Sequence, residues 1–345
     1  MVRAAWHEQA GEGGNGDGPE QSVTPRAHAV LYDREGTDRV VALEAIEAPS
    51  ADDALLWVDV EGHDAASVEA AFARLAIPDN VRDAFVDLRG APRLGNFGRH
   101  VLVQVVTARH AGDARFNGIG LSLLAGPGFV ISMHPRPISF IDTLREREQG
   151  ETRLGILQPG LFLASLLDWH LDTYFDAIGE FERLVERLEE GILRNRLDEN
   201  SVELSGLRRA AARLRRMLAP HRELFASLAR PDFRPEEDAE TTRAFERIDA
   251  HFERAMDAVE SARDTVIGSL ELFSNQIALR TNRSMRILTF ATVVIGCLSV
   301  VAGVLGMNFP ARFFDAGDRG FWIALGAMGG LALGATAVGW WRKWF

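Results

Sequence analysis

The sequence predicts an α+β membrane protein with an N-terminal cytoplasmic α/β domain, a long helical stalk and two C-terminal transmembrane helices. Three observations support this class. Two runs without a charged residue, 287–311 and 320–341, lie near the C-terminus. Short β-like runs alternate with helical stretches before residue 150. The 74 residues from Glu236 to Phe309 contain no proline, which favours one long helix.

Composition and charge restrict the possible function classes. Apolar residues make up 47% of the 345 residues, which is enough to build a sizeable core. The net charge of −11 argues against nucleic acid as a partner, because nucleic acid favours a basic surface. Seven bases and two acids follow position 279, so this tail carries +5 and residues 1–279 carry −16. The single cysteine, Cys297, cannot form an intramolecular disulfide.

The first part of the chain is expected to contain a disordered head followed by a cytoplasmic α/β domain. Residues 1–24 are polar and rich in glycine, which predicts the head. Within 25–150, helical patterns cover Ala65–Leu75 and Asp79–Leu88. The β-like runs of this domain are rich in Val, Leu and Ile and are bounded by Gly, Pro or Asp. They are Ala27–Asp33, Ala54–Val60, Val101–Thr107, Ile119–Leu124 and Phe129–Met133.

A helical stalk is predicted over residues 151–286. One helix is expected from about Leu161 to Leu193 and another from about Val202 to Ala219, just before Pro220. The last stalk helix has no breaker before the first apolar run. At 1.5 Å per residue, some 70 residues would make a rod of roughly 100 Å.

The last stalk helix also carries a heptad pattern with two possible interpretations. An a/d seam of a coiled coil is one interpretation, and an amphipathic helix packed on its own domain is the other. Continuity into the apolar run favours a bundle around an axis. The apolar residues that recur at heptad spacing are Phe245, Phe252, Val259, Val266 and Phe273, with Ile248, Ala255 and Ala262 three residues after the first three of these.

Two transmembrane helices are predicted, because each uncharged run exceeds the ~20 residues that span a bilayer. We expect transmembrane helix 1 at 287–309, a periplasmic loop at 310–319, transmembrane helix 2 at 320–341 and a basic tail at 342–345. The bases beside the runs place both termini in the cytoplasm by the positive-inside rule. These bases are Arg280, Arg283, Arg286, Arg342 and Lys343, and Trp340, Trp341 and Trp344 form an interfacial anchor.

Each apolar run carries a face of small residues. In the first run, small and hydroxyl side chains recur every three or four residues above two bulky apolar ones, which fits either close helix packing or a pore lining. The stripe by itself favours packing. The second run carries a small-residue ladder, which also predicts helix packing. The stripe contains Met285, Leu288, Thr292, Gly296, Ser299 and Gly303, and the ladder contains Gly326, Gly330 and Gly334.

The residues after the first apolar run resemble the signature of the CorA family of divalent-cation channels. The signature segment is Gly306-Met307-Asn308-Phe309. The similarity extends back through Asn282-Arg283-Ser284-Met285-Arg286-Ile287-Leu288-Thr289 and Ala302-Gly303-Val304-Leu305-Gly306. In the soluble part, Ile131-Ser132-Met133-His134-Pro135 looks like the family's last strand before the stalk.

This resemblance implies a homopentameric funnel in the inner membrane. It would move divalent cations, Mg²⁺ first and also Co²⁺ or Ni²⁺, with no cofactor and no catalytic residues. Asn308 would bind the hydrated ion in a selectivity filter with Gly306 and Met307, and Met285 and Leu288 would form an apolar constriction. The residues implied to line the pore are Asn282, Met285, Leu288, Thr292, Gly296 and Ser299.

Several positions depart from the magnesium-transporting pattern. Arg312 lies in a loop that is usually acidic, and Cys297 stands where a proline is common. Arg247 occupies the position of an acidic residue that senses cytoplasmic metal, which leaves Glu246 and Asp249 as neighbouring candidates for sensing. These departures leave the zinc-transporting branch of the family as an alternative.

One hypothesis of another class remains, a membrane-tethered coiled-coil protein with a structural or signalling role. Such a tether needs neither the signature at 306–308 nor the polar stripe. An enzyme ranks third, because the nine histidines are scattered and no catalytic cluster occurs. We expect His63 and His134 to lie in loops or turns.

Overall fold

A computed structural model of the chain describes residues 26–33, 38–47, 49, 54–62, 65–88, 92–147, 154, 157–194, 197–230, 232–233, 239–307 and 317–342. The predicted head therefore lies outside the described residues, as do most of the predicted periplasmic loop and residues 343–345. The chain divides into two compact units. Unit 1 comprises residues 1–188 and 202–267, and unit 2 comprises residues 189–201 and 268–345. The predicted domain boundaries stay predictions.

Unit 1 is built on a seven-stranded mixed sheet with the order β2-β1-β3-β7-β6-β5-β4. Strands β3 and β7 run parallel, and every other neighbouring pair is antiparallel. The strands are β1 (Arg26–Asp33), β2 (Arg39–Val40), β3 (Ala54–Glu61), β4 (Arg93–Phe97), β5 (His100–His110), β6 (Phe116–Gly126) and β7 (Phe129–His134).

The five predicted strands are all present, and two further strands were not predicted. Strand β4 reads Arg-Leu-Gly-Asn-Phe and lacks the β-branched alternation that marks a strand in sequence. Strand β2 has only two residues. Both pair with one neighbour only, so they lie at the edges of the sheet, where short strands are common.

Helices cover both faces of the sheet. Residues Leu56 and Val58 of β3 belong to one apolar cluster with residues of α1 and α2. Trp57, which points to the other face, lies 5.9 Å from Phe162 of α4 between ring centroids. The helices are α1 (Ala65–Arg74), α2 (Asp79–Val86), α3 (Ser139–Arg147), α4 (Pro159–Leu193), α5 (Leu197–Leu218), α6 (Arg222–Leu228), α7 (Ala239–Leu305) and α8 (Asp318–Trp341).

The predicted long helix is confirmed, since α7 runs unbroken for 67 residues. The interpretation of its heptad pattern as an interchain seam is wrong for the part in unit 1. The seam residues there, from Phe245 to Val266, are between 0% and 6% exposed within the single chain. Phe252 packs on Phe225 of α6, with 5.2 Å between ring centroids. The alternative, an amphipathic helix packed on its own domain, is therefore correct, because both arrangements produce the same spacing.

Candidate functional site

Unit 2 contains two helices that are long and apolar enough to cross a membrane. These are the C-terminal part of α7 and the whole of α8, and the most apolar 18-residue window of each contains no buried residue. Large apolar side chains such as Val300 and Leu333 are 68% and 74% exposed. Exposed apolar surface on this scale is unfavourable in water but suits a lipid environment.

The implied pore-lining residues share one face of α7. At about 100° per residue, all six fall within an arc of about 120° around the helix axis. All six are exposed, and Met285 and Leu288 are 62% and 68% exposed. The six are Asn282, Met285, Leu288, Thr292, Gly296 and Ser299. The structure therefore brings them to one face, while their role in a pore stays a prediction.

The opposite face of α7 is the more buried one. Its partly buried residues lie roughly 160° from the middle of the stripe, again at about 100° per residue. They are Phe290, Ala291, Val294, Leu298 and Leu305. The chain by itself thus leaves uncovered the face that carries the small and polar side chains. A further element would have to cover this face, or water and ions would have to contact it.

One of the two hydroxyls in the stripe, that of Thr292, is hydrogen-bonded inside the helix. Thr292 Oγ1 donates to the carbonyl oxygen of Leu288 over 2.8 Å. Gly296 and Gly303 present open space, since a Cβ added at either position would meet no heavy atom within 4 Å. The bulkiest side chains of the stripe, Met285 and Leu288, lie towards the stalk.

Helix α7 ends directly before the signature segment. Gly306 N donates to the carbonyl oxygen of Ala302 over 2.9 Å, which continues the helical bonding. Met307 N then donates to the carbonyl oxygen of Val304, only three residues back, over 3.3 Å. This 3₁₀-type bond closes the helix with a tighter turn. The predicted filter residue, Asn308, follows this closing turn directly in the sequence but lies outside the described residues.

The basic residues before the apolar part of α7 lie on other faces of the helix than the stripe. Arg280, Arg283 and Arg286 are exposed. Each lies more than about 100° around the axis from the middle of the stripe. A cation moving along the stripe would therefore not pass directly over these guanidinium groups. This arrangement matches arginines that contact lipid headgroups at the membrane surface.

The glycine ladder of α8 lies on an exposed face of the single chain, and its role in helix packing stays a prediction. Gly326, Gly330 and Gly334 are exposed, and a Cβ added at any of them would meet no heavy atom within 4 Å. The partly or fully buried face of α8 lies roughly opposite and also consists mainly of small residues. It contains Gly320, Ala324, Met328, Ala332, Ala335 and Gly339. Within the described residues, the ladder does not pack inside the chain.

Aromatic side chains mark both ends of α8. Phe321 and Trp322 are 63% and 66% exposed, and Trp340 and Trp341 are 78% and 85% exposed. Trp322 and Trp340 are separated by roughly 27 Å along a helix that rises 1.5 Å per residue. This separation is close to the ~30 Å hydrocarbon core of a bilayer, where such belts occur. Trp344, the third residue of the predicted anchor, lies outside the described residues.

The candidate sensing acids lie on the part of α7 in unit 1. Glu246 and Arg247 are exposed, and Asp249 is half-buried. Among the described residues, no group of three or more His, Cys, Asp or Glu side chains is arranged to hold a metal ion. A sensing role for Glu246 or Asp249 therefore stays a prediction, and the described residues of one chain do not supply a full set of metal ligands for it.

Unit 1 contains a buried polar network that the sequence did not predict. The carboxylate of Asp59 is 1% exposed and accepts a hydrogen bond from Ser132 Oγ. His134 Nε2 lies 3.3 Å from Asp59 Oδ1, and Arg145 Nη2 lies 2.7 Å from Oδ2. Trp57 Nε1 completes the network by donating to Ser132 Oγ over 3.0 Å.

The expectation that His134 lies in a loop or turn is wrong. His134 is the last residue of β7 and is fully buried. Pro135 follows His134 directly and favours a turn, but β7 still includes His134 as its last residue. Two acids, Asp59 and Glu61, alternate in the otherwise apolar strand β3. Buried carboxylates require partners, so these acids were the sequence signal for the network.

In this network, contacts between charged side chains shift each pKa in the direction opposite to the effect of burial. Burial by itself would raise the pKa of Asp59, but the contacts with His134, Arg145 and Ser132 hold it below its usual value. Burial would likewise lower the pKa of His134, but the charge and hydrogen bonding of Asp59 raise it. The carboxylate of Asp59 therefore favours the protonated form of His134, and the contact between the two side chains links β3 to β7.

The chain is similar to proteins that transport divalent cations. A family model described as CorA-like Mg²⁺ transporter protein matches residues 52–338. A cobalt/magnesium transport protein CorA from Thermotoga maritima is 29% identical over 62% of this chain and 61% of its own length. A divalent cation transporter CmaX from Pseudomonas aeruginosa is 30% identical over 62% of this chain and 64% of its own length. The chain thus matches less than two thirds of each relative.

The fold is also similar to a solved structure. The complete structure of the CorA magnesium transporter from Methanocaldococcus jannaschii aligns with a TM-score of 0.70 at 18% identity. The alignment covers 90% of this chain and 96% of that chain. At this identity the similarity concerns the fold, which combines an α/β domain, a long helix and two C-terminal apolar helices.

Proposed function

The chain belongs to the CorA-like Mg²⁺ transporter protein family, and from this membership we propose that it moves divalent metal cations across the inner membrane. Mg²⁺ is the main proposed substrate, with Co²⁺ and Ni²⁺ as further substrates. The single observation that best supports the proposal is the exposed stripe of small, polar and apolar residues on one face of α7. Family membership also favours a transporter over an enzyme.

The proposed active form is a homopentamer with both termini in the cytoplasm. Five copies of α7 would surround an axis with their stripes inward, and five copies of α8 would form an outer ring. The exposed stripe supports this arrangement because it lacks a cover within the chain. The position of Arg280, Arg283 and Arg286 away from the stripe also supports it, since lipid headgroups would then contact them.

Selectivity in this proposal comes from a ring of Asn308 amides at the periplasmic mouth. Gly306 and Met307 close the last turn of α7, and Asn308 follows them directly in the sequence. Mg²⁺ gives up its water reluctantly, so neutral amide oxygens can bind the hydrated ion without replacing its first shell. The membrane potential contributes about 2.3 kcal/mol per charge per 100 mV, and no chemical step is needed.

The transport of zinc is the second candidate within the same family. Arg312 in the usually acidic loop and Arg247 in the stalk are the sequence features that favour it. A coiled-coil tether is less well supported, because residues Phe245 to Val266 of its proposed seam are buried inside the chain itself.

Ion uptake by proteoliposomes tests the proposal. We expect uptake of Mg²⁺, with Co²⁺ and Ni²⁺ as weaker substrates, and loss of at least nine tenths of the Mg²⁺ uptake in Asn308→Ala. Asn275→Ala is the matched control, since Asn275 lies on α7 before the apolar part and outside the stripe set. Native-like assembly of both variants would be checked by size-exclusion chromatography. Normal uptake by assembled Asn308→Ala would refute the filter, and uptake of Zn²⁺ alone would favour the second candidate.

A further inference from the structure

Unit 1 contains a cleft of about 850 Å³ that has no part in the proposed ion path. The turn between β5 and β6 forms one side, and helices α4 and α5 form the others. All of its lining residues belong to unit 1. Pockets that bind small organic molecules usually have volumes of about 300–1,000 Å³, so the cleft is large enough for such a ligand.

The floor of this cleft is apolar. Phe116, Leu184 and Leu207 line it and are 1%, 7% and 0% exposed. The ring of His110 packs on Phe116 with 5.2 Å between centroids. His110 Nε2 also donates to the carbonyl oxygen of Asp113 over 2.7 Å, which fixes the ring at the side of the cleft. The side chains of Phe116, Leu184 and Leu207 are almost fully covered by protein. The apolar surface that a flat group could contact belongs to the half-buried ring of His110 and to Val202, which also lines the cleft and is 71% exposed.

The rim of the cleft is rich in arginine. Arg115, Arg187 and Arg209 form no ion pair with any residue that the structure describes. Arg213 is held in place, because its Nε donates to the carbonyl oxygen of Phe116 over 2.5 Å. With Asp113 and Glu203 as the acids in the lining, four arginines leave the cleft at +2. This local excess is notable since residues 1–279 carry −16 in total.

We propose that this cleft binds an organic anion that combines phosphate groups with an apolar ring system, of the nucleoside polyphosphate class. Guanidinium groups match phosphate oxygens in a two-pronged geometry, which a row of arginines at the rim can offer. The accessible apolar surface of His110 and Val202 would contact the ring of the same molecule. A fully inorganic anion would leave this surface in water, and a neutral ring would leave the arginines without a charge partner.

Calorimetric titration of the full chain in detergent with ATP, in buffer containing EDTA, tests the proposal. We expect binding that weakens at least about tenfold in Arg209→Ala, since the variant loses a charge-assisted hydrogen bond to the phosphate groups. Arg208→Ala is the matched control, because this exposed neighbour on α5 does not line the cleft. No binding of ATP, or equal loss in both variants, would overturn the proposal.

A second pair of variants tests the cleft without removing a charge. A Cβ added at Gly206 would meet only Ala114 Cβ, at 3.7 Å, so alanine fits there and a larger side chain would extend into the cleft. We expect Gly206→Phe to abolish ATP binding and Gly206→Ala to retain it. If Gly206→Phe does not fold, the arginine pair decides alone. Binding of pyrophosphate or adenosine as tight as that of ATP would overturn the assigned ligand class.

Discussion

Single residues of unit 1 show that burial and pairing move the pKa of a histidine in opposite directions. His134 has a raised pKa because Asp59 outweighs the effect of burial. Burial lowers the pKa of His221 to about 4 and holds that of His170 well below its usual value. His221 Nε2 accepts a hydrogen bond from Val106 N over 3.0 Å, which requires the unprotonated nitrogen. The two kinds of histidine therefore affect stability in different pH ranges.

We predict that the protein loses stability as the pH falls from about 6.5 towards 4. In this range the unfolded chain protonates His170 and His221 and the folded chain does not, which costs up to about 1.4 kcal/mol per pH unit for each histidine. The raised pKa of His134 acts separately, since its contribution is lost only as the pH rises above 6.5. Thermal unfolding at pH 7, 6 and 5 would measure the slope.

The variant His221→Gln provides the control for this prediction. Glutamine keeps an acceptor for Val106 N but does not titrate. The stability of the variant should therefore fall about half as steeply between pH 6.5 and 4. An unchanged slope would show that other groups cause the acid sensitivity.

A second prediction at this scale concerns the constriction. Leu288→Asn should increase Mg²⁺ flux severalfold, because in the proposed pentamer five amides would hydrate a ring of leucine side chains that we expect to exclude water. Ile287→Asn is the matched control, since Ile287 lies at the same depth but about 100° away around the axis. Uptake by proteoliposomes would measure both variants. Equal flux in Leu288→Asn and in the wild type would contradict the constriction.

Residue identities in the sequence anticipated the stripe better than they anticipated the network around Asp59. The stripe could be predicted because its positions recur every three or four residues in a run that otherwise consists mostly of Val, Ile, Leu, Phe and Ala. The network could not, because it joins Asp59, Ser132, His134 and Arg145 from three separate elements. Nothing local to His134 indicates that a parallel strand pair buries it beside a carboxylate.

At the scale of elements, helices α5, α6 and α7 show which helix–helix contacts could not be predicted from the sequence. Pro220 correctly ended the predicted helix near Ala219, but a 3₁₀ turn then leads directly into α6. Phe225 of α6 provides a packing partner for Phe252 of the heptad pattern. A short helix that starts after a proline has a weak sequence signal, so its role as a partner for α7 appears only in the fold.

Two glycines should respond in opposite ways to replacement by alanine. Gly206→Ala should stabilise unit 1 by about 0.5–1 kcal/mol, because glycine is unfavourable inside a helix and the new Cβ has space. Gly128→Ala should destabilise it by at least about 1 kcal/mol, because Gly128 has a φ of +78° and a Cβ would collide with the carbonyl oxygen of Pro49.

Denaturation of the two variants by heat would test this pair. The midpoint of unfolding should rise for Gly206→Ala and fall for Gly128→Ala relative to the wild type. A lower midpoint for Gly206→Ala would mean that the cleft beside Ala114 does not have the space described above.

At the scale of the whole molecule, two exposed surfaces have no cover among the described residues of the single chain. The stripe on α7 and the glycine ladder on α8 face away from the buried sides of their helices. The sequence predicted both surfaces, and the family signature suggested the pentamer. Neither surface identifies its neighbour by itself, because small residues permit close packing with many partners.

We predict that the purified protein is a pentamer with its N-terminal domain in the cytoplasm. Native mass spectrometry in detergent should give about five times the chain mass of 38.0 kDa. Replacement of Gly330 on the ladder by Leu should weaken the assembly, whereas Leu331→Ala on the neighbouring exposed surface should not. A stable dimer, or a pentamer unaffected by Gly330→Leu, would contradict the proposed use of these faces.

The aromatic bands of α8 have a consequence for the choice of lipid. Their separation of roughly 27 Å is slightly shorter than an average hydrocarbon core of about 30 Å. Tilting would shorten the span further, so a thick bilayer must thin around each subunit at a cost of fractions of a kcal/mol per ångström. Bilayers of shorter acyl chains should therefore accommodate the protein with less deformation. Acyl-chain length would then change the free energy of bilayer deformation around this protein, independently of any bound ion.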